Sequence, residues 1–176
     1  QSGIAARGRI PALSLPGARR TVRGAAAGIE LCRLPCIGFG NRKDAVLWLT
    51  DMQNRLTGKN LPEGYVRENF YLCYEGDTLA GVFSLKFALT DYLRDFGGHI
   101  GYAVRPSMRC RGLATQMLRE GKEIAAGLGF DRLLCVCDKD NPSSARVIVK
   151  NGGVLENELY DPEEKVVVQR YWISLP

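Results

Sequence analysis

Residues 99–115, HIGYAVRPSMRCRGLAT, bring together the side chains best able to do chemistry. Arg109 and Arg111 flank Cys110, and Gly112, Leu113, Ala114 and Thr115 follow where a helix begins. The first turn of a helix leaves amide N–H groups without intrahelical partners, and the aligned peptide dipoles add partial positive charge there. Gly112 and Ala114 keep bulk away from those amides, and the two guanidinium groups add full charge. Strand, turn and helix together make a cradle for a pyrophosphate. The Lys-Thr ending of a nucleotide P-loop is missing, as is the full spacing of a dinucleotide fingerprint after a first strand. On residue types alone, a simple tight turn is the alternative. His99 is the only histidine, with an ordinary pKa suited to proton transfer near neutrality. Its other reading is a structural residue hydrogen-bonded at a strand start.

The elements that must hold this stretch are legible around it. HIGYAV, residues 99–104, reads as a strand stopped by Arg105-Pro106. Leu113, Met117, Leu118, Gly121, Ile124, Ala125 and Leu128 recur at helical spacing, and Gly127 and Gly129 mark the stop. Leu133 to Cys137 is a short, almost wholly apolar run, the type expected at the centre of a sheet. Asn141 followed by Pro142 is a helix start, with a capping side chain and then proline in the first helical position. Lys150-Asn151-Gly152 is its stop, and strands near 154–160 and 165–174 close the chain as a hairpin. Upstream, Ala45, Val46, Leu47, Leu49, Met52 and Leu56 predict an amphipathic helix over 44–57. Two apolar runs joined at Glu75-Gly76-Asp77 predict a hairpin, and Thr90 to Phe96 one helical turn ending at Gly97-Gly98. The order helix, hairpin, strand, helix, strand, helix, hairpin is a mixed α/β domain over 41–176.

Composition narrows the function classes. The chain has 176 residues, long enough for one domain with a continuous core, and 45% of them are apolar. No apolar run approaches the roughly 20 residues a membrane-spanning helix needs. The net charge of +5 sits in an atypical Arg/Ala/Gly-rich segment, residues 1–40, which holds six arginines and one acid, Glu30. Its composition resembles a transit peptide, and a poorly packed arm is the alternative. The rest of the chain balances 18 basic against 18 acidic residues, so its body offers no electrostatic footprint for nucleic acid. Cys73, Cys135 and Cys137 lie in strand-like runs as small core hydrophobes, and Cys32, Cys36, Cys135 and Cys137 lack the paired spacing of a zinc site. The expectation is no metal, a reduced thiol pool and a cytoplasmic protein.

Arg109-Cys110-Arg111-Gly112-Leu113-Ala114 resembles the Arg/Gln-x-x-Gly-x-Gly/Ala signature of the GNAT superfamily of N-acetyltransferases. GGHIGYAVRPS before it and DKDNPSSARVIVKNGGVLEN after it resemble one bacterial branch of that superfamily, over roughly residues 44–174. The resemblance implies a mixed, splayed sheet with flanking helices and a C-terminal hairpin. It implies acetyl-CoA as co-substrate, with main-chain groups of Tyr102, Ala103 and Val104 on the pantetheine arm and acetyl carbonyl. Arg109, Cys110, Arg111, Gly112, Leu113, Ala114 and Thr115 would hold the pyrophosphate. Asn141 would hydrogen-bond the arm, with Ser143 or Ser144 assisting. The acceptor, an amine of a small molecule or peptide, would approach from the opposite side, over the helix at 44–57 and the loop at 88–98. A homodimer is an expected assembly.

Acetyl transfer requires a neutral amine to attack a thioester, so a proton must leave and an oxyanion must be stabilised. A strand N–H at Val104 is the expected oxyanion donor, and His99 the candidate base, with Asp91 and Asp95 as further choices. Many members of the superfamily place a tyrosine seven positions after the helix-start asparagine, as acid for the leaving thiolate; here that position is Ile148. Many also carry a glutamate on or just before the strand ending at Val104, and this chain has none. A CoA-binding module with little catalysis is therefore the rival reading, ahead of nucleic-acid binding through the arginine-rich arm.

Overall fold

The computed structural model describes residues 29–33 and 42–176, with side chains from residue 50 onward. Apart from Ile29–Arg33, the Arg-rich segment lies outside the described residues, and so does Cys36. The elements in order are β1 (Ile29–Arg33), α1 (Arg42–Thr57), β2 (Glu68–Glu75), β3 (Thr78–Lys86), a helical turn (Leu93–Gly97), β4 (Ile100–Val104), α2 (Leu113–Gly127), β5 (Arg132–Asp138), α3 (Pro142–Lys150), β6 (Val154–Asp161) and β7 (Val166–Ser174). The strands form two antiparallel sheets, β1-β2-β3-β4 and β5-β7-β6.

Alternation along the strands decides which side chains enter the core. On β5, Leu133, Cys135 and Cys137 face the helices, and Tyr171 and Ile173 of β7 join them. Met117, Leu118 and Ala125 of α2 and Ile148 of α3 complete this cluster with Phe83 and Leu85 of β3. One core thus runs beneath both sheets. Cys135 is fully enclosed and burial pushes its thiol up to about 12, so it behaves as an apolar filler. Gly121 is where α2 comes closest to β3, because an added Cβ would fall against the ring of Phe83. The anticipated hairpin closes at Gly76, whose φ of +58° suits glycine.

Candidate active site between the two sheets

β4 and β5 are neighbours in different sheets, joined at one end by a single residue. His99 makes three connections there. Its carbonyl accepts the Lys86 N–H at 2.8 Å, its own N–H donates to the Leu134 carbonyl at 2.8 Å, and its Nδ1 accepts the Leu134 N–H at 2.9 Å. Gly98 makes this approach feasible. It has a φ of +69°, and a Cβ there would lie 2.7 Å from the Leu134 carbonyl oxygen. Beyond this joint the strands separate and leave a gap.

The phase of the β3–β4 ladder sets which main-chain groups face that gap. The Arg105 N–H bonds the Ala80 carbonyl and the Lys86 N–H bonds that of His99. Antiparallel pairing alternates, so Ala103 is satisfied by Val82 of β3. Tyr102 and Val104 turn their N–H and C=O groups the other way, toward β5. The expectation for main-chain binding by 102–104 is thereby narrowed to Tyr102 and Val104. One of the latter's groups is already engaged: the Val104 carbonyl accepts from Arg109 Nε at 3.2 Å, which leaves its N–H facing the gap.

The cradle residues close the wide end. Gly112 precedes α2 with a φ of +80°, no side chain caps the helix, and a Cβ at Gly112 would meet nothing within 4 Å. This is an uncapped helix start with open space before it, the geometry that receives an anion. Cys110 also has a left-handed backbone, φ 60°, which turns the chain from Arg109 into the helix. Arg111 is drawn aside: its guanidinium pairs with Glu75 at 2.8 Å.

α3 forms the other wall. The Asn141 side chain accepts the Ser144 N–H at 3.1 Å, as an N-cap should, and Pro142 occupies the first turn. Tyr102 reaches across from β4 to place its hydroxyl 2.7 Å from Ser144 Oγ and 3.4 Å from the Ser144 carbonyl. Burial pushes this phenol up to about 12; the Ser144 hydrogen bond opposes the shift, and the nearby Cys135 and Cys137 add to it.

These walls enclose a cavity of about 610 Å³. Of the anticipated site residues it gathers Tyr102, Ala103, Val104, Arg109, Cys110, Gly112, Leu113, Ala114, Thr115, Asn141, Ser143 and Ser144. Arg111 and His99 do not line it. It adds Met108 and, from α3, Arg146, Val147 and Lys150, none of them among the expected site residues. Ser143, Arg146, Val147 and Lys150 follow helical spacing, so one stripe of α3 faces the cavity, and that periodicity was the available signal.

His99 belongs elsewhere. It lines a second cavity of about 640 Å³ with Phe87, Leu89, Arg94, Glu156, Arg170 and Trp172 among others. Arg170 and Trp172 alternate with the core-facing Tyr171 and Ile173, so this cavity lies on the face of the sheet away from α2 and α3. The expectation that His99 is the base is corrected on physical grounds. Accepting the Leu134 amide at Nδ1 places the ring proton on Nε2, so protonation would sacrifice a buried hydrogen bond. Burial, then the positive charges of Lys86 and Arg132, lower its pKa to about 4. Asp91 pairs with Arg94 at 2.9 Å on the surface and does not line either cavity, nor does Asp95.

A split sheet, a glycine-led helix with no side-chain cap and a β4 edge turned toward β5 belong to a fold shared with known proteins. The family model "Acetyltransferase (GNAT) family" matches residues 41–152, and the chain belongs to that family. Among solved structures, the chain is similar to the RimL ribosomal L7/L12 alpha-N-protein acetyltransferase in complex with coenzyme A. The TM-score is 0.65 at 17% identity, over 86% of this chain and 97% of that one. It is also similar to the microcin C7 self-immunity acetyltransferase MccE in complex with acetyl-CoA and AMP. That match has a TM-score of 0.61 at 16% identity, over 85% of this chain and 94% of the other. A third similar structure is the dodecameric spermidine N-acetyltransferase from Vibrio cholerae, with a TM-score of 0.54 at 15% identity over 74% and 73% of the two chains. No curated protein sequence matches. Among the described residues, no helix is long and apolar enough to cross a membrane.

Proposed function

We propose that this protein transfers the acetyl group of acetyl-CoA to a primary amine of a small molecule or peptide. One observation carries the reading: the β5-facing N–H groups of Tyr102 and Val104 share a cavity with the N-terminus of α2, which no side chain caps. The residues present fit the co-substrate. The α2 amides and Arg109 suit its pyrophosphate, and Arg146 and Lys150 supply further positive charge on the facing wall. Tyr102 and Val104 suit the amide-bearing arm as a third strand would, and the family's CoA-bound relatives support the assignment. When bound, acetyl-CoA supplies an electrophilic thioester.

The protein's share of the reaction is positioning and electrostatics. The Tyr102 N–H, which faces the gap level with the thioester, donates to the developing oxyanion in place of the expected Val104 N–H, which meets the arm earlier. His99 holds the narrow end of the gap, fixing the separation of β4 and β5. The acceptor enters from the second cavity, whose Phe87, Phe130 and Trp172 suit an apolar body, while its Glu156 is held by Arg170 at 2.7 Å. We assign the amine proton to water: among the described residues no carboxylate or imidazole lines the first cavity, and on the acceptor's side His99 is engaged by the Leu134 N–H and Glu156 by Arg170.

Calorimetric titration with acetyl-CoA and CoA tests the site, and thiol release over an amine panel tests the reaction. Gly112→Glu should abolish binding by placing a carboxylate where the pyrophosphate sits. Unchanged affinity in that variant would remove the site assignment. The same lack of an acid–base residue, together with Ile148 at the position where tyrosine is usual, favours one rival, a CoA-binding module. Thermal stabilisation by CoA without turnover on any amine would establish it.

A further inference from the structure

We propose that the Tyr102 hydroxyl is the hydrogen-bond donor to the departing sulfur, a task that Ile148 cannot perform. The inference rests on the cavity being the acetyl-CoA site. An arm leaving a pyrophosphate at the start of α2 and running along β4 passes Val104 first and Tyr102 next. Its far end, the sulfur, would then come level with Tyr102, short of the His99–Leu134 joint that closes the gap. There the side chain of Tyr102 spans from β4 to the first turn of α3, over Cys135 and Cys137 of β5. It is the one phenol lining this cavity among the described residues. Ile148, by contrast, is fully buried in the core and offers no proton.

Ser144 equips the phenol for this part. Either hydroxyl of the 2.7 Å pair can donate. When the Ser144 Oγ–H donates to the phenol oxygen, the phenolic O–H is left with only the Ser144 carbonyl, a long contact at 3.4 Å, and can turn from it to the sulfur; donation makes it a better donor in turn. In the transfer, the amine nitrogen forms a bond to the acetyl carbon and the C–S bond breaks, its electron pair staying on sulfur. The proton lost from nitrogen passes to water. Tyr102 keeps its own proton, because burial holds the phenol well above the thiol range. Its contribution is a charge-assisted hydrogen bond, which strengthens as negative charge builds on sulfur.

The test uses ligand binding and thiol titration, so it needs no knowledge of the acceptor. Wild type, Tyr102→Phe and Ser144→Ala are titrated calorimetrically with CoA and with desulfo-CoA, at a pH where the thiol of CoA is ionised. The expected result is that CoA binds wild type on the order of ten-fold more tightly than it binds Tyr102→Phe, while desulfo-CoA does not distinguish the two. The ultraviolet thiolate band of bound CoA should titrate about one pH unit lower in wild type than in Tyr102→Phe, with Ser144→Ala between. Equal effects on both ligands, or none on either, would overturn the role of Tyr102 while leaving the CoA site standing. Failure of both ligands to bind wild type would overturn the site and this inference together.

Discussion

If His99 joins two sheets, its replacement should be felt as stability and sheet geometry, with no loss of a proton acceptor. His99→Ala removes the ring that accepts the Leu134 N–H, and Leu134 is fully buried. An orphaned buried amide costs about 1–3 kcal/mol, and the edge contacts of the ring with Phe130 and Trp172 add about 1 kcal/mol. Water entering from the adjoining cavity softens the first figure, so a loss of about 2–3 kcal/mol is expected. His99→Asn offers a carboxamide oxygen to the same amide and should lose only about 1 kcal/mol. The two also separate on pH. The folded pKa of about 4 lies below the unfolded value of 6.5, so the unfolded chain binds the proton more readily. The neutral ring therefore contributes stability that is complete above the unfolded value and disappears as the pH falls toward the folded one. Between about pH 7 and pH 5, and discounted for the open cavity beside it, this amounts to about 1 kcal/mol. Urea denaturation at both pH values measures it. Wild type should lose this increment and His99→Asn should not. Equal pH slopes, or His99→Ala unfolding at the wild-type urea midpoint, would refute the joint.

Two other predictions concern the helices that carry the site. Gly121→Ala should destabilise by about 2 kcal/mol, because its methyl overlaps the buried Phe83 ring; Gly127→Ala, with open space around it, should stabilise by up to about 1 kcal/mol. Thermal melts of both variants check the contrast. Asn141→Ala should lose about 1 kcal/mol with the α3 cap and also weaken CoA binding, which calorimetry separates from stability; intact affinity would confine Asn141 to capping.

Local pattern made much of this molecule readable. Leu113, Met117, Leu118 and Ala125 do form the buried stripe of α2, and Asn141-Pro142 does open α3. Those signals reside within one element, where spacing and capping chemistry act directly. The sites of error share a different property. The fate of His99 depends on Leu134, 35 residues away, and nothing in HIGYAV announces that its first residue will accept a hydrogen bond from another sheet. Ala103 was grouped with its neighbours because a strand looks uniform in sequence. Only the phase of the ladder with β3 shows that its N–H and C=O point to Val82 while the residue still lines the cavity.

The same reasoning explains why the gap exists at all. β4 and β5 both read as ordinary strands, and two such strands side by side would normally satisfy one another and leave no main chain for a ligand. Here β4 enters at Gly98 and His99, where the backbone is rotated so that the His99 N–H and ring point to β5 while its carbonyl stays with β3. One imidazole ring thus substitutes for the next backbone pair. From that point each strand follows the twist of its own sheet, β4 that of β3 and β5 that of β7. The Tyr102 and Val104 amides that face β5 across the gap are the consequence, set where a third strand would have to complete them. The only histidine in the chain therefore acts on the architecture, holding β4 to β5 at one end so that the two strands part beyond it.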